Sequence, residues 1–448
     1  MKNKIIILTV FAGLVLSACS DYLDRKPYTQ PNNEDFLKTR ENVESYINNL
    51  YTSLPAPAQY GIGVRGEEVN SDNILSEKYD MRLNGENNQF SGSDDWNKGY
   101  KNLRMVNYFF HYYAVSEVDE TDEVLSLRGE AYFFRAYWHF YLLTRFGNIP
   151  IMDDFWDGNA TLGGLQIPAT KRADAARFIL NDLKAAMRVA LYEGSWEKYH
   201  KGTDFATEDN SEEFFKEVMN WGDQYLFPAG LTLHMTATNP KATNIDDAFS
   251  ELFNSNDLSN ISEVTFWKKY SIADGVFNTV TQQLSGGVTD NVKPSGLSKS
   301  LVDNFLNVDG TPVDPTDEKY KDFNEVFKDR DGRLLAMVMH TGCKFKSNSL
   351  MNVRVYDETG TEAEQKEKNK DISSPRLNGD GIYKNVTGFH TRLGIDTTYV
   401  TGNCETAHVM CRYAEGLLCY AEAAAELGQY NIKAIASKSR CGLCYSGG

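Results

Sequence analysis

The sequence predicts a mostly α fold, with helical hairpins in its first half and an irregular, mixed second half packed against them. Three observations predict it. Residues 123–146 are apolar on two faces of a helical wheel, the pattern of a helix enclosed by neighbours. Apolar residues recur at helical spacing in several further segments before residue 225. After residue 255 that period gives way to short strand-like pieces among many Gly, Asn and Asp, and returns only near 405–427. Apolar residues are 41% and charged residues 24% of the chain, the balance of a globular protein. The formal net charge of -16 repels phosphates and argues against a nucleic-acid partner.

The elements follow in order. Glu34 to Tyr51 repeats Phe36, Val43, Ile47 and Leu50 at helical spacing, and Pro55 and Pro57 end it. Residues 56–93 are rich in Gly, Asn, Ser and Asp and are expected to be loop. Asp94 or Asp95 is placed to cap the next helix, along which Trp96, Tyr100, Leu103, Asn107 and Phe110 step by three or four. In residues 123–146, Leu127, Ala131, Phe134, Trp138 and Tyr141 form one face and Phe133, Tyr137 and Phe140 a second. Arg128, Arg135 and His139 mark the remaining polar stripe, while Gly147 and Pro150 stop the helix. Thr170 is placed to cap a helix carrying Ala176, Ile179, Leu183, Ala186 and Ala190. Another is expected near 211–225, with Phe214, Phe215, Val218 and Trp221. The charges of Glu362 to Asp371 predict an exposed loop. The last helix, 405–427, carries Val409, Tyr413, Leu417, Tyr420, Ala424 and Leu427. Helix pairs joined by short turns suggest hairpins of the tetratricopeptide type, although that repeat's consensus is not met in full.

The N-terminus carries the sharpest signal. Lys2 and Lys4 precede an apolar run from Ile5 to Leu16, shorter than the ~20 residues of a membrane-spanning helix and matched to an export signal. The run ends in Leu16-Ser17-Ala18-Cys19, which looks like a bacterial lipobox. Residues 1–18 are therefore expected to be a lipoprotein signal peptide and Cys19 the lipidated residue. Each acyl methylene buried in a bilayer contributes ~0.8 kcal/mol, so several chains hold firmly where one does not.

Of the seven cysteines, five crowd the stretch from Cys404 to Cys444, which is no disulfide framework spread over a secreted scaffold. Cys441 and Cys444 form a Cys-x-x-Cys without a second half, so no metal and no cofactor is expected. No zinc-protease motif, nucleophile elbow or phosphate-binding loop is present, and nothing singles out a catalytic pair among 62 acidic residues. The chain is not expected to be an enzyme.

A set of motifs, taken in order, resembles one family. Arg128-Gly-Glu-Ala-Tyr-Phe-Phe-Arg-Ala-Tyr, running on to Arg145-Phe-Gly-Asn-Ile-Pro150, is similar to the hallmark helix of RagB/SusD proteins. Trp96, Tyr100 and Asn107 resemble the family's preceding helix, and Phe178-Ile-Leu-Asn-Asp-Leu-Lys-Ala-Ala186 its following one. Asp329-Arg-Asp-Gly-Arg-Leu334 is close to the family's RDPRL, with Gly332 in place of Pro. Arg412-Tyr-Ala-Glu415 through Tyr420-Ala-Glu-Ala423 resembles the late RYAE helix, and Tyr22-Leu23-Asp24 with Pro27 after the lipobox fits as well. The resemblance implies an outer-membrane surface lipoprotein. Such proteins capture oligosaccharides, or oligopeptides in some members, and deliver them to a TonB-dependent SusC-like transporter. A surface glycoside hydrolase is the less favoured alternative. It also implies an N-terminal SusD-like helical part over 19–225 and a C-terminal RagB/SusD part over 226–448. One departure stands out: family chains continue past the RYAE helix, whereas Lys433 to Gly448 does not match, so a truncated or frame-shifted end after about 430 is expected. Arg128, Arg135, Arg412 and Glu415 are expected in buried helix–helix polar contacts, because an unpaired buried charge is costly.

A sugar-binding surface needs rings that lie against C–H faces and polar groups that meet hydroxyls. Loop aromatics are the candidates: Trp156 first, then Tyr60, Tyr79, Trp267 and Tyr270.

Overall fold

The structure is a computed structural model. It describes residues 36–54, 71–75, 84–86, 94–155, 166–190, 245–281, 296–345, 349–373, 386–399 and 402–429, together with Lys216, Met219, Asp223, Leu231 and Leu377. The described chain falls into two compact units, one within 1–54 and 90–208, the other within 55–89 and 209–448.

The first unit is helical. Helix α1 (Arg40–Tyr51) starts at Thr39, whose Oγ1 accepts from Asn42 N–H at 3.3 Å, and it buries Val43, Ile47 and Leu50. These lie at i, i+4 and i+7, one stripe of the wheel. Helix α2 (Asp94–Tyr113) turns Leu103, Val106 and Phe109 inward. Asp94 and Asp95 lie in its first turn, where carboxylates favour the positive end of the helix dipole. Helix α3 (Asp122–Phe146) is capped by Thr121 and ends at Gly147, whose φ of 72° an L side chain rarely adopts. It packs against α1, α2 and, most extensively, α4 (Arg172–Ala190). Leu103, Trp138, Leu142, Ile149, Ala175 and Ile179 fill the space between them; each large apolar side chain so buried stabilises by about 1.5–3 kcal/mol.

Two expectations change here, while Arg135 on the polar stripe of α3 makes the expected buried helix–helix contact. His139 is buried, and the Arg135 guanidinium donates two hydrogen bonds to Asp182 of α4, at 2.7 and 2.8 Å, among the rings of Phe110, Tyr132 and Phe178. Conversely, Phe140 on the second apolar face is 54% exposed, because no described element covers that side. Thr170 does not cap α4: its N–H pairs with Ile149 O, and Asn148 Oδ1 accepts from Arg172 N–H at 3.0 Å instead. A side chain distant in sequence thus takes the orphan donor of the helix end.

The second unit mixes short helices with two-stranded ribbons. Residues Ile74–Leu75 (β1), expected in a loop, pair antiparallel with Gly296–Leu297 (β3), and Ile74 is buried. Val264–Lys268 (β2) pairs antiparallel with His408–Arg412 (β6), and Lys344–Phe345 (β4) with Ser349–Leu350 (β5). The core gathers Phe249, Leu252 and Phe253 from α5 (Ile245–Asn254), Val302 from α6 (Lys299–Asn304), and Leu334 and Met337 from α7 (Gly332–Met337). The RDGRL motif nucleates α7: Asp331 is its N-cap, accepting from Arg333 N–H, so Gly332 occupies the first helical position, where Pro is well suited. Arg330 is buried and donates to the carbonyls of Val326, Val302 and Phe305.

Two further expectations are corrected. Glu362 to Lys368 is a helix (α8), closed by a Thr361/Glu364 capping box, and only Asn369 to Asp371 lies beyond it. The last helix, α9 (Tyr413–Glu426), begins later than its apolar pattern, because Val409 lies on β6 opposite Trp267. The hallmark charges are likewise placed more exactly by their contacts. Arg412 meets Glu263, 2% exposed, at 2.7 Å across the β2–β6 side, and Glu415 accepts from the Arg412 N–H at 3.3 Å. Arg128 pairs at the surface with Glu120. Of the four, only Arg135 makes a buried helix–helix contact. The helix expected near 211–225 lies outside the described residues. Among the described residues, no helix is long and apolar enough to cross a membrane.

Candidate ligand-binding platform

The first unit presents a patch of aromatic rings beside the segment that follows α3. On α2, Arg104, Tyr108, His111 and Tyr112 stand at i, i+4, i+7 and i+8 and so share one side. Leu103, Val106 and Phe109 are turned into the core; the outer set is exposed or half-buried. Tyr46 of α1 stacks on Tyr108 with ring planes 6° apart and centroids at 5.8 Å, and its hydroxyl donates to Met105 O at 2.9 Å.

The segment after α3 is tied down residue by residue. Tyr100 Oη donates to Pro150 O at 2.9 Å. Met152 N–H donates to His139 Nε2 at 3.1 Å, which leaves the proton on Nδ1 to donate to Arg135 O at 2.9 Å. Burial holds His139 down at about 4, in keeping with this neutral ring. Asn107 Nδ2 donates to Met152 O at 2.8 Å and to Asp154 O at 3.2 Å, while Arg135 donates to Asp153 O at 3.3 Å. The motif residues of α2 and α3 therefore work as clamps on residues 150–154.

Their effect is to lay Phe155 against α2. Its ring meets Tyr108 edge to face at 5.1 Å, and lies 5.4 Å from His111 and 6.0 Å from Tyr112. The Arg104 guanidinium sits 4.7 Å from the Phe155 centroid. Asp153 and Asp154 are exposed at the edge of the patch, and Asp154 Oδ1 accepts from Phe155 N–H at 2.7 Å. The patch combines flat apolar faces with carboxylate, imidazole and guanidinium groups, which suits a ligand with C–H faces and hydroxyls.

Trp156 directly follows Phe155 in the chain and itself lies outside the described residues, as do Tyr60, Tyr79 and Cys19. Trp267 is half-buried on β2, not in a loop. Tyr270 is only 5% exposed, so its ring packs inside the second unit, and burial raises its hydroxyl well above the ordinary phenol range. It offers no open face to a ligand. The sequence reading missed Tyr108, His111 and Tyr112 because they sit within a helix; the signal was their spacing, opposite Leu103, Val106 and Phe109.

Comparison with known proteins agrees with this architecture. A family model described as starch-binding, associating with outer membrane, matches residues 21–202, and the SusD family model matches residues 267–442. SusD-like protein P2 of Formosa agariphila is 27% identical over 172 residues, 34% of this chain; the chain spans 31% of that curated relative. The crystal structure of a SusD-like protein from Bacteroides fragilis matches with a TM-score of 0.63 at 19% identity, covering 92% of this chain and 81% of that one. A SusD-like carbohydrate binding protein from the same species matches with a TM-score of 0.58 at 18% identity, covering 90% and 79%. At these identities the likeness to the solved structures is one of fold. The chain belongs to the SusD/RagB family.

Proposed function

We propose that this chain is a cell-surface binding lipoprotein that captures oligosaccharides on the ring platform of its first unit and passes them to a TonB-dependent, SusC-like transporter. The observation that carries the reading is the clamping of Phe155 beside Tyr108, His111 and Tyr112, immediately before Trp156. A chain whose motif residues are spent on fixing one short segment holds that segment rigid, and rigid aromatic faces bind without a large ordering cost. Family membership supports the reading, as does the carbohydrate-binding description of the Bacteroides fragilis protein that shares the fold. Cys19, at the end of the lipobox, is the proposed lipid attachment that keeps the protein at the outer membrane. Binding needs no bond-breaking groups, so we read the chain as a capture protein and not a hydrolase.

Titration calorimetry of the purified protein against panels of oligosaccharides and oligopeptides tests the ligand class. Saturable heat with a glycan and none with peptides is expected, and no reducing ends should appear on prolonged incubation. Saturation by peptides alone would replace the proposed ligand. Radiolabelled palmitate should enter the wild-type chain and not Cys19→Ser. Pull-down of a barrel transporter from outer-membrane extracts is expected for the delivery step; recovery of none would remove it.

A further inference from the structure

Beyond its first turn, the outer side of helix α2 is basic in an acidic chain. The protein has 62 acidic residues and a net charge of -16, yet no Asp or Glu occurs from Trp96 to Ser116. Lys98, Lys101, Arg104 and His111 fall within that stretch. At 3.6 residues per turn, Lys101, Arg104, Tyr108, His111 and Tyr112 share a stripe about 100° wide. Lys101, Arg104 and His111 are exposed, and Tyr108 and Tyr112 are half-buried. The amides of the same turns face inward. Asn102 and Asn107 are buried, and Asn107 donates to Met152 O and Asp154 O.

This choice of side chains is selective. A sugar hydroxyl both donates and accepts, so amides and carboxylates suit it, whereas Lys and Arg only donate. Donors of that kind beside flat rings fit a group that only accepts, such as a carboxylate or a sulfate ester carried on a sugar ring. The Arg104 guanidinium is held at the rings, 4.7 Å from the Phe155 centroid. Its planar fork pairs with two oxygens of an anion at once. His111 flanks the same ring further along the helix, at 5.4 Å. The two acids of the platform are engaged elsewhere. Burial, opposed by Arg135, raises the Asp182 carboxyl, and Asp153 adds to that rise, so the Asp153 carboxylate lies toward α4. Asp154 Oδ1 accepts from Phe155 N–H at 2.7 Å.

We propose that the platform selects acidic oligosaccharides, whose rings lie on Phe155, Tyr108 and Tyr112 while a carboxylate or sulfate ester is held by Arg104, with Lys101 before it and His111 after it on the helix. This selectivity rests on the platform being the glycan site proposed above. A neutral glycan would gain the ring contacts alone; an acidic one gains the charge-assisted hydrogen bonds as well.

Calorimetry on the purified full-length chain tests it with panels of uronate-containing and sulfated oligosaccharides, each beside its carboxyl-reduced or desulfated counterpart. The best acidic member should bind at least about 10-fold more tightly than its uncharged counterpart, and the panel it comes from tells carboxylate from sulfate. That preference should shrink several-fold between ~50 mM and ~500 mM NaCl, through screening. Arg104→Gln should weaken the acidic ligand about 10-fold. Lys366→Gln, the same change of charge on α8 of the second unit, should bind it as wild type does, with melting curves as control. Equal affinity for the charged and uncharged members of every pair, or an Arg104→Gln affinity equal to wild type, would overturn the selectivity and leave glycan capture standing. Binding of no oligosaccharide, charged or uncharged, would overturn both.

Discussion

Arg135 is a charge held in the interior by two kinds of partner. Asp182 takes both ends of its fork, and three rings cover its faces. Removing one member leaves the other buried and uncompensated, which costs about 3–5 kcal/mol in comparable pairs. Arg135→Ala should therefore lower the unfolding free energy of the first unit, read from urea denaturation, by an amount of that order. Arg135→Met with Asp182→Leu should recover most of the loss, since both charges then go. An Arg135→Ala midpoint equal to wild type would show the pair to be idle. The sequence marked Arg135 as part of a motif yet left its partner open, because Asp182 is supplied by a separate helix, and a pattern within one helix carries no record of its neighbour. The same gap explains why His139 was read as a polar-stripe residue: its two hydrogen-bond partners are a carbonyl one turn back and the N–H of Met152, and neither is visible as a side-chain type.

Helix contacts set the next scale. At Gly99 a Cβ would stand 2.6 Å from Leu142 Cγ, where α2 approaches α3. Leu142 is fully buried and has little room to give way. Gly99→Ala should destabilise by about 1–3 kcal/mol despite the better helix propensity of Ala, read as a fall in melting temperature; a rise would show that the two helices can spread freely. On α8 the capping box predicts a smaller effect: Thr361→Ala should cost about 1 kcal/mol, local to that helix, and be seen as faster amide exchange there. That box was legible as Thr361-x-x-Glu364, but the density of charge after it drew the reading toward a loop. Helices with long, two-faced patterns, such as α3, were legible almost to the residue. The boundary of α9 was not, because Val409 and Tyr413 keep a helical period by chance while the backbone between them is paired with β2. Strand β1 was illegible for a related reason: two residues leave no period, and their partner is far along the chain.

At the scale of the whole molecule, acid is the simplest probe. His139 in the first unit and His390 in the second are both held down at about 4 by burial, against an ordinary value near 6.5. Between those values the unfolded chain binds protons that the folded chain refuses. Stability is thus full above about pH 6.5 and falls as pH drops toward 4, by roughly 3 kcal/mol for each histidine. Glu130 and Asp182, raised by burial, pull the other way over the lower part of that window. Denaturation midpoints at pH 7 and pH 4.5 should therefore differ in favour of pH 7, and His390→Gln should narrow the gap; equal midpoints would mean that neither ring is buried neutral. The buried His139 accepts from Met152 N–H and so helps to hold the segment that carries Phe155 of the platform. The most direct measurement is the glycan affinity of Tyr108→Ala and Tyr112→Ala, taken by calorimetry beside the wild type with melting curves as control. Each variant should keep the wild-type melting temperature within a few degrees and bind about 5–10-fold more weakly, the loss of one aromatic contact. Unchanged affinity in the double variant would contradict the account, because the ligand would then be held elsewhere on the protein.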